Sequence, residues 1–280
     1  MKSILTQSLT LATSQLFVAD IVAMKKFYHD QVGLEVLSTA AQHVVLGHDQ
    51  TPVIELVSRP KLAMAGTREA GLFHNAVLFE TKGALATTVG KLITASPRLF
   101  TGTGDHLVSE AFYFNDPEGN GLELYVDRPT NTWQWRDGQV AMDSLYIDPM
   151  AFINNHAAAG APGDKKLGHV HLRIGDTVLA RRFYVDILGF AATADMGSAL
   201  FVSVGGYHHH IGLNTWQSAG AGPRTPSLGL STITIYLDHD DDVSQLASRL
   251  EASSYPFTYY RGIVSVSDPW NNHLQFSHKQ

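Results

Sequence analysis

The stretch LFVADIVAMKKFYHDQVGLEVL, residues 16–37, has a counterpart in LRIGDTVLARRFYVDILGFAAT, residues 172–193. Asp20 corresponds to Asp176, 156 positions later, and the Phe-Tyr pair and the Gly that follow keep the same offset. Each stretch is typical of a strand, an Asp at a helix start, an amphipathic helix and a Gly at its end. A constant offset over a whole segment indicates an internal duplication.

A fainter pair of repeats lies between and after these two. HNAVLFETKGALATTVGKLI from His74 and TITIYLDHDDDVSQLASRLE from Thr232 each favour a strand followed by a helix. Each closes later on a related turn and strand, DPEGNGLELY from Asp116 and DPWNNHLQF from Asp268. The sequence therefore predicts four strand–helix–strands units. Their approximate ranges are 8–58, 72–128, 167–216 and 230–278.

These units predict two domains and an α+β fold. Residues 1–129 would hold the first two units, and residues 167–280 would hold the last two. The stretch 130–166 carries Pro, Gly and Ala clusters around a short helix candidate, MDSLYIDPMAFINNH, and is typical of a connector.

Composition excludes several classes of function. The 280 residues are 44% hydrophobic and 16% charged, with a net charge of −6 and no basic stripe, so we expect no nucleic-acid partner. The absence of cysteine excludes disulfides, thiolate metal sites and cysteine nucleophiles. No apolar run is long enough to span a bilayer, and no signal peptide is recognisable, so we expect a cytoplasmic protein that does not engage the membrane. Fourteen histidines are many, and imidazole binds iron, zinc, copper and nickel.

A carboxylate interrupts the apolar strand in FNDPEGNGLELYVDRP, residues 114–129. Charged residues are seldom buried without a partner. Strand alternation predicts that Leu122 and Leu124 face one side and that Glu123 faces the other. Glu123 is therefore either a ligand that points into the interior or a surface glutamate on an edge strand.

Four tandem βαβββ units with FYxDxLG-like and DPxGNxxEL-like motifs resemble the vicinal oxygen chelate superfamily. That superfamily includes glyoxalase I, fosfomycin and bleomycin resistance proteins, and the extradiol ring-cleaving dioxygenases. The resemblance covers nearly the whole chain and implies two half-closed barrels, each built from a pair of units. It also implies a metal held by the first and last strands of the paired units. One such fold hosts several chemistries, so the reaction must be inferred from the site.

The ligand positions of the superfamily are filled unevenly here. The second unit offers His74 and Glu123, and the third offers His169, with His171 on the same face as an alternative. The first and fourth units offer only Thr13 or Ser14, Glu55, Ser231 or Thr232, and Gln275. If the second unit pairs with the third, one barrel collects two histidines and one carboxylate. This is the facial triad of non-haem Fe(II) oxygenases, which also suits Mn(II), and the first and fourth units would then form a structural barrel.

A run of three histidines closes the third unit in FVSVGGYHHHIGLN, residues 201–214. On a strand, His208 and His210 would share one side and His209 would take the other. Type I extradiol dioxygenases have a similar stretch, whose second histidine is an acid–base residue beside the metal. The resemblance assigns that role to His209. The alternative is a histidine cluster on an edge strand with no role.

A second similarity to those enzymes lies in GDHLVSEAFYFNDPEGNGLE, in the second unit. The resemblance implies that Tyr113 and His106 act beside the ligand Glu123, because the tyrosine precedes the glutamate by ten positions in both. The histidine is closer to the tyrosine here than in those enzymes. Tyr113 could alternatively be an ordinary strand aromatic.

The sequence thus resembles the four-unit catechol 2,3-dioxygenases and predicts an enzyme of aromatic compound catabolism, with a small aromatic diol and O₂ as substrates and Fe(II) as cofactor. A glyoxalase-like isomerase is one alternative, although HHHIGLN lacks the extra Glu or Gln that those enzymes use. A binding or resistance module without turnover is another. Whether the chain forms a homo-oligomer is left open by the sequence. The candidates for pocket walls, or equally for core, are Phe73, Phe201, Trp216 and Phe257.

Overall fold

A computed structural model describes residues 8–157 and 163–278, and within them it contains the four predicted units. The first unit comprises β1 (Leu9–Val18), α1 (Ile21–Lys26), β2 (Glu35–Ala40), β3 (His43–His48) and β4 (Thr51–Ser58). The second comprises β5 (Gly71–Phe79), α2 (Lys82–Ala95), β6 (Phe100–Asp105), β7 (Ser109–Asn115) and β8 (Gly121–Asp127). The connector holds β9 (Trp135–Arg136), β10 (Gln139–Val140) and α3 (Pro149–His156).

The second half of the chain repeats the pattern. The third unit comprises β11 (Lys165–Arg173), α4 (Thr177–Ala180), β12 (Ala191–Asp195), β13 (Ala199–Ser203) and β14 (Ile211–Asn214). The fourth comprises β15 (Gly229–Leu237), α5 (Asp240–Ala252), β16 (Phe257–Tyr260), β17 (Ile263–Ser267) and β18 (His273–His278). In the described residues, no helix combines the length and apolarity needed to cross a membrane.

Two eight-stranded sheets combine the units in the predicted way. One sheet has the order β16-β17-β18-β15-β1-β4-β3-β2, and the other has the order β12-β13-β14-β11-β5-β8-β7-β6. The second unit therefore shares a sheet with the third, and the first shares a sheet with the fourth. The predicted α+β fold and the pairing of the units are both confirmed.

Within a unit, the first strand lies parallel to the last. The pairs β5–β8, β11–β14 and β15–β18 all show this arrangement. Side chains on these two strands can therefore meet on one face of the sheet, which is how a ligand from each strand comes to a common point.

By density of internal contacts, the chain divides into two compact parts. One consists of Met1–Leu16, Leu62–Phe73 and His169–Gln280, and the other of Phe17–Lys61 and His74–Gly168. The boundaries fall inside β1, β5 and β11, so these three strands contribute to both parts. The domain boundaries drawn from the sequence, 1–129 and 167–280, stay a prediction.

The repeated helix begins and ends as the sequence predicts but widens at its end. Asp20 caps α1 by accepting hydrogen bonds from two backbone N–H groups, both at 3.0 Å. The helix then continues as a π-helix, Phe27–Gln31, and the chain reverses at Gly33, whose φ of +79° is left-handed. Glycine is favoured there because it has no Cβ to clash with the backbone.

The Phe-Tyr pair and the Asp-Pro turn, two separate motifs in the sequence, bond to each other. The hydroxyl of the fully buried Tyr28 donates to Oδ2 of Asp116 over 3.1 Å. In the duplicated half, Tyr184 donates to Asp268 over 3.0 Å. Each aspartate also accepts hydrogen bonds from its own turn, so the pair fixes the start of the last strand of the unit. In the second unit that strand is β8, which carries Glu123.

Candidate metal centre

Glu123 lies on β8, and its side chain is buried and not at the surface. It is 2% exposed, and its Oε2 lies 2.9 Å from Nε2 of His74 on the parallel strand β5. The register pairs His74 with Gly121 and Ala76 with Glu123, so His74 and Glu123 are two positions apart on adjacent strands and face the same side of the sheet. The buried carboxylate has this imidazole and a hydrogen bond with Tyr113 as partners.

His169, on β11, completes a group of three. One ligand atom each from His74, Glu123 and His169 lie within 4.8 Å of one another, and all three residues are buried. Two ligand atoms about 2.1 Å from one ion and at right angles to each other are about 3 Å apart, which matches the His74–Glu123 separation. Two imidazoles and one carboxylate are the donor set of a facial triad, so these residues fit Fe(II) or Mn(II). In the described ranges, 8–157 and 163–278, no second group of this kind occurs.

His171 does not belong to that group. Its Nε2 lies 3.0 Å from the side-chain nitrogen of Asn214, and its ring packs against Phe73 at 5.2 Å between centroids. Gly212 on the paired strand makes room for it, because a Cβ there would lie 2.8 Å from the His171 ring. The group with His74 and Glu123 therefore favours His169 over His171 as the ligand.

Tyr113 and His106 form a hydrogen-bonded pair next to Glu123. Tyr113 lies directly opposite Glu123 in the antiparallel β7–β8 register. Burial, followed by the charge of Glu123 and a hydrogen bond to it, raises the pKa of Tyr113 well above its usual value, so the phenol stays protonated. The Tyr113 hydroxyl lies 2.6 Å from Nε2 of His106, and Nδ1 of that ring lies 2.7 Å from the backbone oxygen of Asp143.

The Asp143 contact decides where His106 carries its proton. A carbonyl oxygen can only accept, so Nδ1 of His106 donates to it, and in the neutral ring Nε2 is an acceptor that competes with Glu123 for the single O–H of Tyr113. This carbonyl belongs to the connector, and no sequence pattern pointed to it. Two residues that the resemblance selected are thus together, and a third group orients them.

The histidine run is not part of a strand, so the prediction of alternating faces is wrong. Strand β13 ends at Ser203 and β14 begins at Ile211, and the chain between them turns at Gly205 and Gly206, with φ of +68° and +77°. The rule of alternating faces applies only to the extended pleated backbone, which this turn interrupts.

The outcome of that turn is that His209 packs against the proposed ligand His169. The two rings are 4.1 Å apart between centroids, and His209 is 5% exposed. His208 lies beside His209, with the two Nδ1 atoms 2.8 Å apart. His210 bonds instead to Ser203, with 2.8 Å between its Nδ1 and the hydroxyl oxygen.

Three of the four candidate wall residues form one aromatic cluster with His171 and His209. Phe73 packs on Trp216 at 5.4 Å between ring centroids, and Phe201 packs on His209 at 4.9 Å. The fourth, Phe257, lies on β16 in the other sheet. It is therefore not part of this cluster.

The corresponding positions in the sheet of the first and fourth units hold ordinary polar contacts. Glu55 lies 3.2 Å from Nε2 of His43, and Ser231 donates to Gln15 over 2.9 Å. The ligand positions of these two units carry one carboxylate, Glu55, and no histidine, which is fewer donors than a facial triad needs. That this sheet has only a structural role stays a prediction.

The family model of the Glyoxalase/Bleomycin resistance protein/Dioxygenase superfamily matches residues 10–124 and 166–276. The chain belongs to this superfamily. Its two matched segments each cover two of the four βαβββ units.

Named relatives narrow the comparison further. The chain is 34% identical over 265 residues to a catechol-2,3-dioxygenase of Bacillus subtilis (strain 168), covering 91% of this chain and 92% of the relative. A solved putative dioxygenase of Bacillus subtilis superposes with a TM-score of 0.65 at 13% identity, over 96% of this chain and 84% of that one. Glyoxalase I of Zea mays superposes with a TM-score of 0.58 at 14% identity, over 97% and 92%. At such identities the two structures support the fold alone, whereas the sequence relative supports a dioxygenase-type enzyme.

Proposed function

We propose that this protein is an extradiol dioxygenase that opens a catechol-type ring with O₂ at a non-haem Fe(II) ion. The observation that carries the proposal is the convergence of His74, Glu123 and His169 on one point. The superfamily alone does not distinguish ring cleavage from isomerisation. The relative named as a catechol-2,3-dioxygenase, similar over nine tenths of the chain, supports ring cleavage.

The two histidines and the glutamate would hold the ion on one face. Bound there, Fe(II) would supply open positions for an aromatic diol and for O₂ and a route for charge between them. Mn(II) suits the same ligands. The protein contributes a buried setting that excludes bulk water, since all three ligands are buried.

The contacts of His209 support the role of acid–base residue for it. Its ring packs on His169, and the Phe201 ring packs on it as well. A neutral imidazole can take a proton from a diol hydroxyl and return it when the ring opens, and such transfers contribute about 10²- to 10⁴-fold to rates.

Tyr113 and His106 would hold the ionised oxygen of the diol. The phenol of Tyr113 stays protonated because burial and the Glu123 charge raise its pKa, and its single O–H would turn from its present partners to the diol oxygen when the diol binds. His106 orients that phenol through the 2.6 Å contact, and the Asp143 carbonyl orients His106.

Oxygen uptake with catechol tests the proposal directly. The chain loaded with Fe(II) should consume O₂ and yield a yellow muconic semialdehyde. His209→Gln should lower kcat by about 10²-fold or more, and Tyr113→Phe should lower it less. The control His210→Gln changes a neighbouring ring that bonds to Ser203, and it should leave kcat near the wild-type value.

The alternatives give different results in the same experiment. A glyoxalase-like isomerase would convert a hemithioacetal without consuming O₂. A binding module would turn over neither substrate. Either result with a metal-loaded, folded protein would reject the dioxygenase proposal.

The same preparation, passed over a sizing column, reports whether the chain forms a homo-oligomer. The expected cytoplasmic location can be tested separately by cell fractionation.

A further inference from the structure

Two adjacent histidines share a hydrogen bond through like nitrogen atoms. Nδ1 of His208 lies 2.8 Å from Nδ1 of His209, and both residues are buried. The loop that holds them is fixed by neighbours: Thr193 donates to the backbone oxygen of His208 over 2.5 Å, and the Tyr207 ring stacks on the His208 ring at 4.2 Å. The contact is therefore part of an ordered arrangement, although no pattern in the sequence indicated it.

Such a contact couples the tautomers of the two rings. A neutral imidazole carries one N–H, and a hydrogen bond between two ring nitrogens needs one donor and one acceptor. If Nδ1 of His209 donates, its Nε2 carries no proton and can accept one. If Nδ1 of His208 donates, Nε2 of His209 carries the proton and can act only as a donor.

The two histidines assigned to the site differ in this respect. His106 faces the carbonyl oxygen of Asp143, which can only accept, so its tautomer is determined. His209 faces another imidazole, which can either donate or accept the hydrogen bond. Its readiness to act as a base therefore depends on the state of its neighbour, because the hydrogen bond at one ring nitrogen sets the proton at the other.

We propose that His208 is a positioning residue that accepts the Nδ1 proton of His209 and so keeps Nε2 of His209 ready to take a proton from the substrate. The inference rests on the proposed function, because it concerns the base that the function requires. In this role His208 acts through His209, whose Nδ1 it contacts, and that contact also holds the His209 ring where it packs on His169.

A matched pair of substitutions separates this role from simple packing. Asparagine and leucine have nearly the same shape, but the asparagine Oδ1 branches from Cγ as Nδ1 does in histidine and can accept a hydrogen bond. His208→Asn should keep most of the activity. His208→Leu should lower kcat by roughly 10- to 100-fold, the range seen when an outer partner that orients a histidine is lost, with little change in KM.

The tautomer itself can be read without turnover. In the full chain, prepared without metal and labelled with ¹⁵N and ¹³C in histidine, the wild-type His209 ring should carry its proton on Nδ1. The spectrum of His209→Gln assigns the signal. His208→Asn should show the same tautomer, and His208→Leu should shift His209 toward the Nε2-protonated form.

Several results would overturn the inference. They are a wild-type His209 protonated on Nε2, a folded His208→Leu variant with an unchanged tautomer, or a folded His208→Asn variant as impaired as His208→Leu. Circular dichroism and thermal midpoints establish folding, and if the leucine variant does not fold, the wild-type spectrum and the asparagine variant decide. A wild type that shows the expected tautomer but no O₂ uptake with catechol contradicts the proposed function instead, so the two failures are distinguishable.

Discussion

The bond between Tyr28 and Asp116 should make the stability of this protein depend on pH in a specific way. The carboxyl of Asp116 accepts from the Tyr28 hydroxyl at 3.1 Å, from the backbone N–H groups of Glu118 and Asn120 at 3.0 and 2.9 Å, and from the Asn120 side chain at 2.9 Å. Burial raises the pKa of Asp116 to about 6, and these hydrogen bonds, which favour the ionised form, oppose a further rise.

The perturbation is Tyr28→Phe, which removes one oxygen from a fully buried ring and leaves the packing surface in place. A hydrogen bond to a charged group contributes about 1.5–3 kcal/mol, so at pH 8 we expect the free energy of unfolding to fall by about 2 kcal/mol. For a chain of this size, that corresponds to a thermal midpoint lower by roughly 5 °C.

The loss of unfolding free energy caused by Tyr28→Phe should be smaller at pH 5 than at pH 8. The pKa of Asp116 in the folded protein lies above the unfolded value of about 3.9, so between those values the native state binds the extra proton, and the contribution of this group to stability falls as pH rises from about 4 to about 6. The Tyr28 bond favours the ionised form, so its removal raises the pKa of Asp116 further. At pH 5 the carboxyl is mostly protonated and only a neutral bond is lost, at a cost of about 1 kcal/mol.

Urea denaturation of wild type and variant at pH 5 and pH 8 measures this difference, because the titration of unrelated histidines cancels between the two proteins. Tyr184→Phe should also lower the free energy of unfolding at pH 8 by about 2 kcal/mol, since Tyr184 bonds to Asp268 at 3.0 Å, and burial raises the pKa of that carboxyl as well. Tyr146→Phe, at a residue 79% exposed, should cost nothing. An equal cost at both pH values, or no cost at either, would refute the assignment.

Two further predictions concern the strands that carry the ligands. Gly168→Ala places a Cβ 1.8 Å from the hydroxyl of the fully buried Tyr125, so overpacking should cost about 3 kcal/mol and lower the thermal midpoint by roughly 5–10 °C. In the control Gly222→Ala, the added Cβ meets nothing within 4 Å, and the thermal midpoint should not fall. Equal midpoints for the two variants would contradict the prediction. Fe(II) or Mn(II) at 100 times its dissociation constant should stabilise the wild type by about 2.7 kcal/mol, and chelation should reverse this stabilisation. Glu123→Gln should abolish the stabilisation, whereas the control Glu55→Gln should retain it. If the metal still stabilises Glu123→Gln, the ion binds elsewhere.

The repeat in the sequence predicted most of what positions the centre. A constant offset and a second, fainter pair of repeats predicted four units, and the uneven distribution of donors indicated which units share a sheet. His74 and Glu123 belong to one unit and His169 to the other half of the chain, and the sheet order β11-β5-β8 brings their strands together. The pairing of the second unit with the third could be inferred because it needed only the order of the strands and the residue types on them, and the sequence pattern indicates both.

The bonds between motifs were beyond sequence analysis. Tyr28 and Asp116 are 88 positions apart, and each motif has a sufficient local explanation, the tyrosine as core and the aspartate as a turn residue. Only the three-dimensional arrangement shows that the hydroxyl of one satisfies the carboxylate of the other. The same is true of the Asp143 carbonyl, because every residue has a backbone oxygen and composition cannot indicate which one a histidine will contact.

The histidine run shows why a wrong local prediction can matter for chemistry. On a pleated strand, neighbouring side chains point to opposite faces, so His208 and His209 could not have bonded to each other. The left-handed glycines Gly205 and Gly206 end the extended backbone before the run begins, and the freed chain turns both rings to the same side. A regular strand would have left the proposed base to be oriented by a distant residue. The irregular loop instead supplies its partner from the preceding position, so the orientation of His209 depends on the conformation of one short turn.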